Sequence, residues 1–280
     1  MRRTSLTRLR VAAVTTDALL ALAPLGTTSA APEDWADVPP KGANNWSCRS
    51  TTHPVPVVLV HGTTANQNQN WATLSPALTK AGYCVYTFTY GELPGLPGYG
   101  GLGPIRESVK TLVAFASKVR QRTGADKLDF IGHSQGASIQ MMYLRDYQGA
   151  KHTRRVINLA GVVNGAPSVG GLSALFAALP PAVLGNACPA CAQLIDPEAT
   201  RFGNHPTIAY ANIASRTDEV VNPVSVSLMK PAPNVRNIVV QNYCPTLSVG
   251  HDAMSKDPTV RRIILNELDP AARKPVKCRS

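Results

Sequence analysis

Gly132-His133-Ser134-Gln135-Gly136 is a G-x-S-x-G pattern, set between a short apolar run, Leu128-Asp129-Phe130-Ile131, and a helix-compatible stretch from Ala137 to Tyr147. A serine on a strand-to-helix turn of this kind is a nucleophile elbow. The turn holds it in a cramped backbone conformation with its hydroxyl pointing out of the fold, and the flanking glycines let strand and helix approach. A serine hydroxyl is a weak nucleophile at neutral pH, so it needs a base, usually histidine, and the base needs an orienting carboxylate. Along a chain with such an elbow the acid follows the serine, and the histidine follows the acid. His53 and His61 precede Ser134, His133 adjoins it, His152 comes shortly after the elbow helix, and His205 precedes a predicted strand. Only His251, in the loop Ser248-Val249-Gly250-His251-Asp252, follows the last predicted strand, and it is the candidate base. Asp218, in Thr217-Asp218-Glu219-Val220-Val221 just past a predicted strand end, is the candidate orienting acid. Glu219 is its neighbouring rival, Asp196 lies further off in an irregular segment, and Asp252 follows the base and reads as a solvated or structural acid.

Attack on a carbonyl places negative charge on oxygen, and preorganised donors there are worth about 3 kcal/mol each. The backbone N–H of Gln135, directly after the nucleophile, is one candidate. The second is the loop His61-Gly62-Thr63-Thr64 after an apolar strand, where Gly62 lets the backbone turn close to substrate and Thr63 adds a hydroxyl.

Alternating strands and helices must position these groups. Apolar or β-branched runs predict strands at 55–60, 84–90, 128–131, 156–162, 207–214 and 235–240. Helical patterns are predicted over 71–81, 104–123, 137–147 and 257–268, with Gly124 as a stop and Pro258 in a first turn. The outcome is one α/β domain, residues 32–280, with a mostly parallel sheet covered by helices on both faces. Residues 164–206 depart from the alternation. Their apolar cluster, Leu172, Leu175, Phe176, Leu179, Val183 and Leu184, reads either as a short core helix or as a lid or acyl-pocket wall.

Residues 1–31 have the make-up of a signal peptide: Arg2, Arg3, Arg8 and Arg10, then a mostly apolar stretch, then Thr28-Ser29-Ala30-Ala31. The spacing leaves Sec and Tat export open, and a secreted, extracellular protein is expected. No other segment is apolar for long enough to span a bilayer. An even cysteine count in an exported chain argues for disulfides. The expected pairs are Cys48–Cys84, Cys188–Cys191 and Cys244–Cys278, although spacing alone does not choose among connectivities. The first would pin the lead-in to a strand start and the last would clip the tail near the His251 loop. Cys188-x-x-Cys191, in a Pro/Ala-rich loop, reads as a staple rather than a redox motif. The formal net charge of the 280 residues is +11. The cations are scattered, at Arg120/Arg122, Arg154/Arg155, Arg261/Arg262 and Arg273 to Arg279, with no aromatic-interleaved patch. They do not point to nucleic acid and would favour approach to anionic surfaces.

Val57-Val58-Leu59-Val60-His61-Gly62-Thr63-Thr64, Asn70-Trp71, the elbow, Thr217-Asp218 with Val220-Val221, and Gly250-His251 together resemble the secreted bacterial triacylglycerol lipases of the α/β-hydrolase superfamily, particularly their actinobacterial branch. The fungal lipase B group is also similar, sharing a Ser-Gln elbow and a threonine-based oxyanion loop. The resemblance implies an α/β-hydrolase fold and ester hydrolysis through an acyl-enzyme, with Ser134 as nucleophile, His251 as base then acid and Asp218 as orienter. It also implies no cofactor; no metal site is expected, and the partners expected are an ester substrate such as an acylglycerol, met at a lipid–water interface by a monomer. A cutinase-like polyester hydrolase and an acyltransferase are alternatives on the same machinery, and a non-catalytic binding protein is a third class.

Overall fold

The computed structural model divides into two units, Met1–Pro32 and Glu33–Ser280. It describes residues 37–165, 188–194, 196 and 198–278, all in the second unit. The signal-peptide reading of 1–31 and the apolar cluster from Leu172 to Leu184 lie outside the described residues.

Six strands form one sheet: β1 (Val57–Val60), β2 (Val85–Thr87), β3 (Leu128–His133), β4 (Thr153–Leu159), β5 (Ala209–Ala214) and β6 (Val235–Val239). Their order is β2-β1-β3-β4-β5-β6 and every pairing is parallel. Parallel neighbours need crossovers: α1 (Gln67–Trp71) and α2 (Leu74–Lys80) lie between β1 and β2, α3 (Ile105–Thr123) between β2 and β3, and α4 (Gln135–Asp146) between β3 and β4. The short α5 (Pro189–Leu194) and the closing α6 (Pro258–Leu268) complete the named helices.

The register explains why these strands read as unbroken apolar runs. Val58, Phe130, Val156 and Tyr210 lie side by side across β1, β3, β4 and β5. They pack with Val109 and Leu112 of α3 and Ile139 of α4. One residue along, Leu59, Ile131, Ile157 and Ala211 form the next row. That row belongs with Trp71, Leu74 and Leu78 on one flank and Val260, Ile263 and Ile264 of α6 on the other. Successive side chains leave opposite faces of a strand, so a sheet covered on both sides needs apolar residues at nearly every position. Each fully buried side chain of this size contributes roughly 2 kcal/mol.

Some elements differ from the sequence reading. The predicted helix 71–81 shortens to α2, whose start at Leu74 puts Pro76, which has no N–H, in a first turn where proline is tolerated, while Trp71 closes the separate α1, for which no helix is predicted over 67–70. The Asn66 side chain caps α1 by accepting from Gln69 N at 2.8 Å. The strand predicted over 84–90 pairs only to Thr87, and that over 156–162 begins at Thr153 and stops at Leu159, before Ala160 turns to φ 45°. The Pro/Ala-rich segment expected as a loop holds the short helix α5, with Cys188 just before it and Cys191 inside it, and Gln193 in it accepts from Ile105 N at 2.7 Å, capping α3.

The three disulfides are Cys48–Cys84, Cys188–Cys191 and Cys244–Cys278, the pairs expected. Among the described residues no helix is long and apolar enough to cross a membrane.

Candidate active site

Ser134 joins β3 to α4 with φ 54° and ψ −122°, a left-handed conformation that a side chain rarely adopts. It is held there by its N–H bond to Leu159 O on the neighbouring strand, 2.9 Å. The flanking glycines are sterically required. A Cβ on Gly136 would lie 2.1 Å from Val60 O, and one on Gly132 would lie 2.6 Å from the backbone of Gly136. Gln135 is the first residue of α4, where leading N–H groups have no intrahelical acceptor.

Asp218 and His251 come from loops after β5 and β6. His251 Nδ1 lies 2.9 Å from Asp218 Oδ2 and 3.1 Å from Oδ1. Both side chains are buried. The N–H groups of Val220 and Val221 each donate to Asp218 Oδ1 at 2.8 Å, which fixes the carboxylate. A carboxylate acceptor on Nδ1 places that nitrogen's proton and leaves Nε2 as the basic nitrogen. Glu219 does something else: its Oε2 accepts from His251 N at 3.0 Å, tethering the loop backbone rather than the ring. Asp196 caps a local turn through Glu198 N, 2.9 Å, and Asp252 is exposed and paired with Lys256.

Thr63 follows Gly62 at the end of β1. Its Oγ1 is buried and has no hydrogen-bond partner among the described residues. An unpaired buried hydroxyl costs about 1–3 kcal/mol, and such exceptions gather at functional sites. A cavity of about 250 Å³ is lined by Gly62, Thr63, Asn70, Ser134, Val220 and His251. The structure thus brings the elbow serine, the candidate base and the candidate oxyanion loop to one cavity, with Asp218 behind the base.

Two contributors to this geometry had no role assigned in the sequence. Asn70 Oδ1 accepts from Gly62 N at 3.0 Å and lies 3.1 Å from His133 Nδ1. His133 Nε2 lies 3.1 Å from His251 O. The neutral imidazole has one N–H and can donate to one of these oxygens at a time. Burial, helped by the adjacent His251, lowers the His133 pKa to about 3, so the ring is neutral across ordinary pH. The candidate oxyanion loop, the elbow and the loop of the candidate base are therefore linked side chain to backbone. His61 is likewise buried and lowered to about 4 by desolvation. Its Nδ1 faces Gly62 O at 2.8 Å, and its Nε2 accepts from Tyr90 N at 3.2 Å. The Asn70-Trp71 pair, part of the sequence resemblance, was the available sequence signal; the contact between His133 and His251 O, across 118 positions, had none.

The chain has known relatives. A family model described as "Lipase (class 2)" matches residues 54–263. The chain belongs to the class 2 lipase family. Among solved structures it is similar to Aspergillus fumigatus lipase B, with 15% identity over 86% of this chain and a TM-score of 0.61. The match spans only 57% of that fungal lipase's length. It is also similar to a Paleococcus ferrophilus monoacylglycerol lipase, at 17% identity over 76% of this chain and 95% of that one, TM-score 0.53. A Pyrococcus furiosus esterase matches at 17% identity over 79% and 82%, also with a TM-score of 0.53. At these identities the neighbours show the fold, that of the α/β-hydrolases, and class 2 lipase membership is what points to carboxylic-ester hydrolysis.

Proposed function

We propose that this class 2 lipase-family chain is a secreted serine hydrolase that cleaves carboxylic esters, acylglycerols among them, through an acyl-enzyme. The observation that carries the reading is that His251, paired at 2.9 Å with the buried Asp218 behind it, lines the same cavity as a serine held at φ 54°. Ser134 Oγ attacks the ester carbonyl carbon while His251 Nε2 takes its proton. The carbonyl oxygen becomes an oxyanion that receives the Gln135 N–H and the Thr63 hydroxyl, which has no other partner among the described residues. The C–O bond to the leaving alcohol then breaks, and His251 returns the proton to that alcohol. Water repeats the sequence on the acyl-enzyme and releases the carboxylic acid and free Ser134. No step calls for a cofactor. The disulfides suit an oxidising compartment and support export, with residues 1–31 as the signal and 32–280 as the catalytic domain. Part of 164–206 as a lid belongs to the same proposal.

The test is hydrolysis of p-nitrophenyl esters from acetate to palmitate by wild type and Ser134→Ala. Serine-dependent turnover extending to long chains is the expected result. Turnover confined to short chains would shift the substrate class to small esters or polyesters, and equal rates in the two proteins would remove Ser134 as nucleophile.

A further inference from the structure

We propose that a basic groove between α6 and the C-terminal tail holds the phosphate of an anionic lipid headgroup. The groove encloses about 670 Å³. One wall is the outward stripe of α6, Pro258, Arg261, Arg262 and Leu265, whose i, i+3, i+4, i+7 spacing puts them on one helix face opposite the core residues Ile263 and Ile264. The other wall is the tail, with Lys274 and Lys277. Two cation clusters that are separate in sequence thus face one space.

The tail is fixed in place. Asn266 donates to Lys274 O at 2.7 Å and accepts from Lys274 N at 2.9 Å, Thr259 Oγ1 donates to Lys277 O at 3.3 Å, and Cys278 is bonded to Cys244. The carboxylates of this face are already committed. Glu267 takes both Arg236 and Arg273, Asp252 takes Lys256, Asp257 caps α6 and Asp269 caps the turn at Ala272. Among the described residues, none of Arg261, Arg262, Lys274 and Lys277 forms a salt bridge. Arginine and lysine facing one space without an acid suit a phosphate, which accepts several charge-assisted bonds. Leu265, Pro258 and Pro275 add apolar surface for the first carbons of the acyl chains, whereas among the described residues no aromatic side chain lines the groove for a nucleic-acid base to stack on.

The full chain, mixed with vesicles of phosphatidylglycerol or of phosphatidylcholine and sedimented, is expected to bind the first and not the second. Arg262→Gln with Lys277→Gln should weaken that partitioning about thirtyfold, the equivalent of ~1 kcal/mol per cation removed. Lys41→Gln with Lys230→Gln, the same loss of charge elsewhere, should stay within about twofold of wild type. Equal losses in the two double variants would overturn the groove in favour of net charge alone. Millimolar inorganic phosphate, at constant ionic strength, should displace the wild type from vesicles. Binding of inorganic phosphate or of a polynucleotide with no preference for phosphatidylglycerol would overturn the lipid assignment. Hydrolysis of soluble p-nitrophenyl acetate should be the same in wild type and groove variants. Lost vesicle binding with intact hydrolysis therefore bears on the groove alone, and vesicle binding without hydrolysis bears on the catalytic reading alone.

Discussion

Asp218 and Glu219 are adjacent acids with the same charge, yet they hold different atoms of His251. Asp218 faces the imidazole Nδ1, and Glu219 accepts from the backbone N–H of the same residue. Replacing Asp218 with Asn removes the charge that stabilises an imidazolium and permits the wrong tautomer, and the expected loss is roughly 10⁴-fold in kcat. Glu219→Gln keeps an acceptor for the backbone N–H, and its expected loss is under about tenfold, the effect of weakening one hydrogen bond. Steady-state kinetics on one soluble ester separates them, and a larger loss in the Glu219 variant would reverse the two roles. His133 and Asn70 belong to the same scale: neither is a proposed reactant, but each holds a backbone group of a loop that carries one.

At the scale of elements, the site depends on how closely β1, β3 and α4 converge. A Cβ on Gly136 meets backbone oxygens of both Val60 and His61, which cannot rotate away. Gly136→Ala should therefore push α4 off the end of β1, cost roughly 3 kcal/mol and abolish ester hydrolysis by displacing Ser134 from the oxyanion loop. Gly203→Ala, where no atom lies within 4 Å of the added carbon, is the control expected to leave melting temperature and rate unchanged. A Gly136 variant that melted like wild type would remove the steric account of the motif. Strand β3 also carries a charge into the core: Asp129 is fully buried, and the Arg154 side chain bonds it, Nε at 2.9 Å. Burial pushes its carboxyl up while the arginine opposes that shift.

For the whole molecule, the covalent links matter most at the chain's two ends. Cys48–Cys84 and Cys244–Cys278 span 36 and 34 positions, which the chain-entropy account values at roughly 4 kcal/mol each, while Cys188–Cys191 spans 3 and constrains little. Joint replacement of Cys244 and Cys278 by serine should lower the melting temperature by about 10 °C. The corresponding replacement of Cys188 and Cys191 should lower it by less than about 3 °C. Equal shifts in calorimetry would count against loop length as the cause.

Much of this protein was legible in its residues because the cues are local. The apolar runs marked the strands, since a sheet covered on both faces needs apolar residues throughout. G-x-S-x-G between a strand and a helix marked Ser134, since only glycine fits where the backbones converge. Chain order singled out His251 as the candidate base, because in chains with such an elbow the histidine follows the serine and the acid. What the sequence left open was what depends on distance between remote positions: the separate duties of Asp218 and Glu219, the bridge from Gly62 through Asn70 and His133 to His251, and the meeting of Arg261 and Arg262 with Lys274 and Lys277. Those contacts follow from strand register and loop closure, which bring together residues whose spacing along the chain carries no record of the pairing.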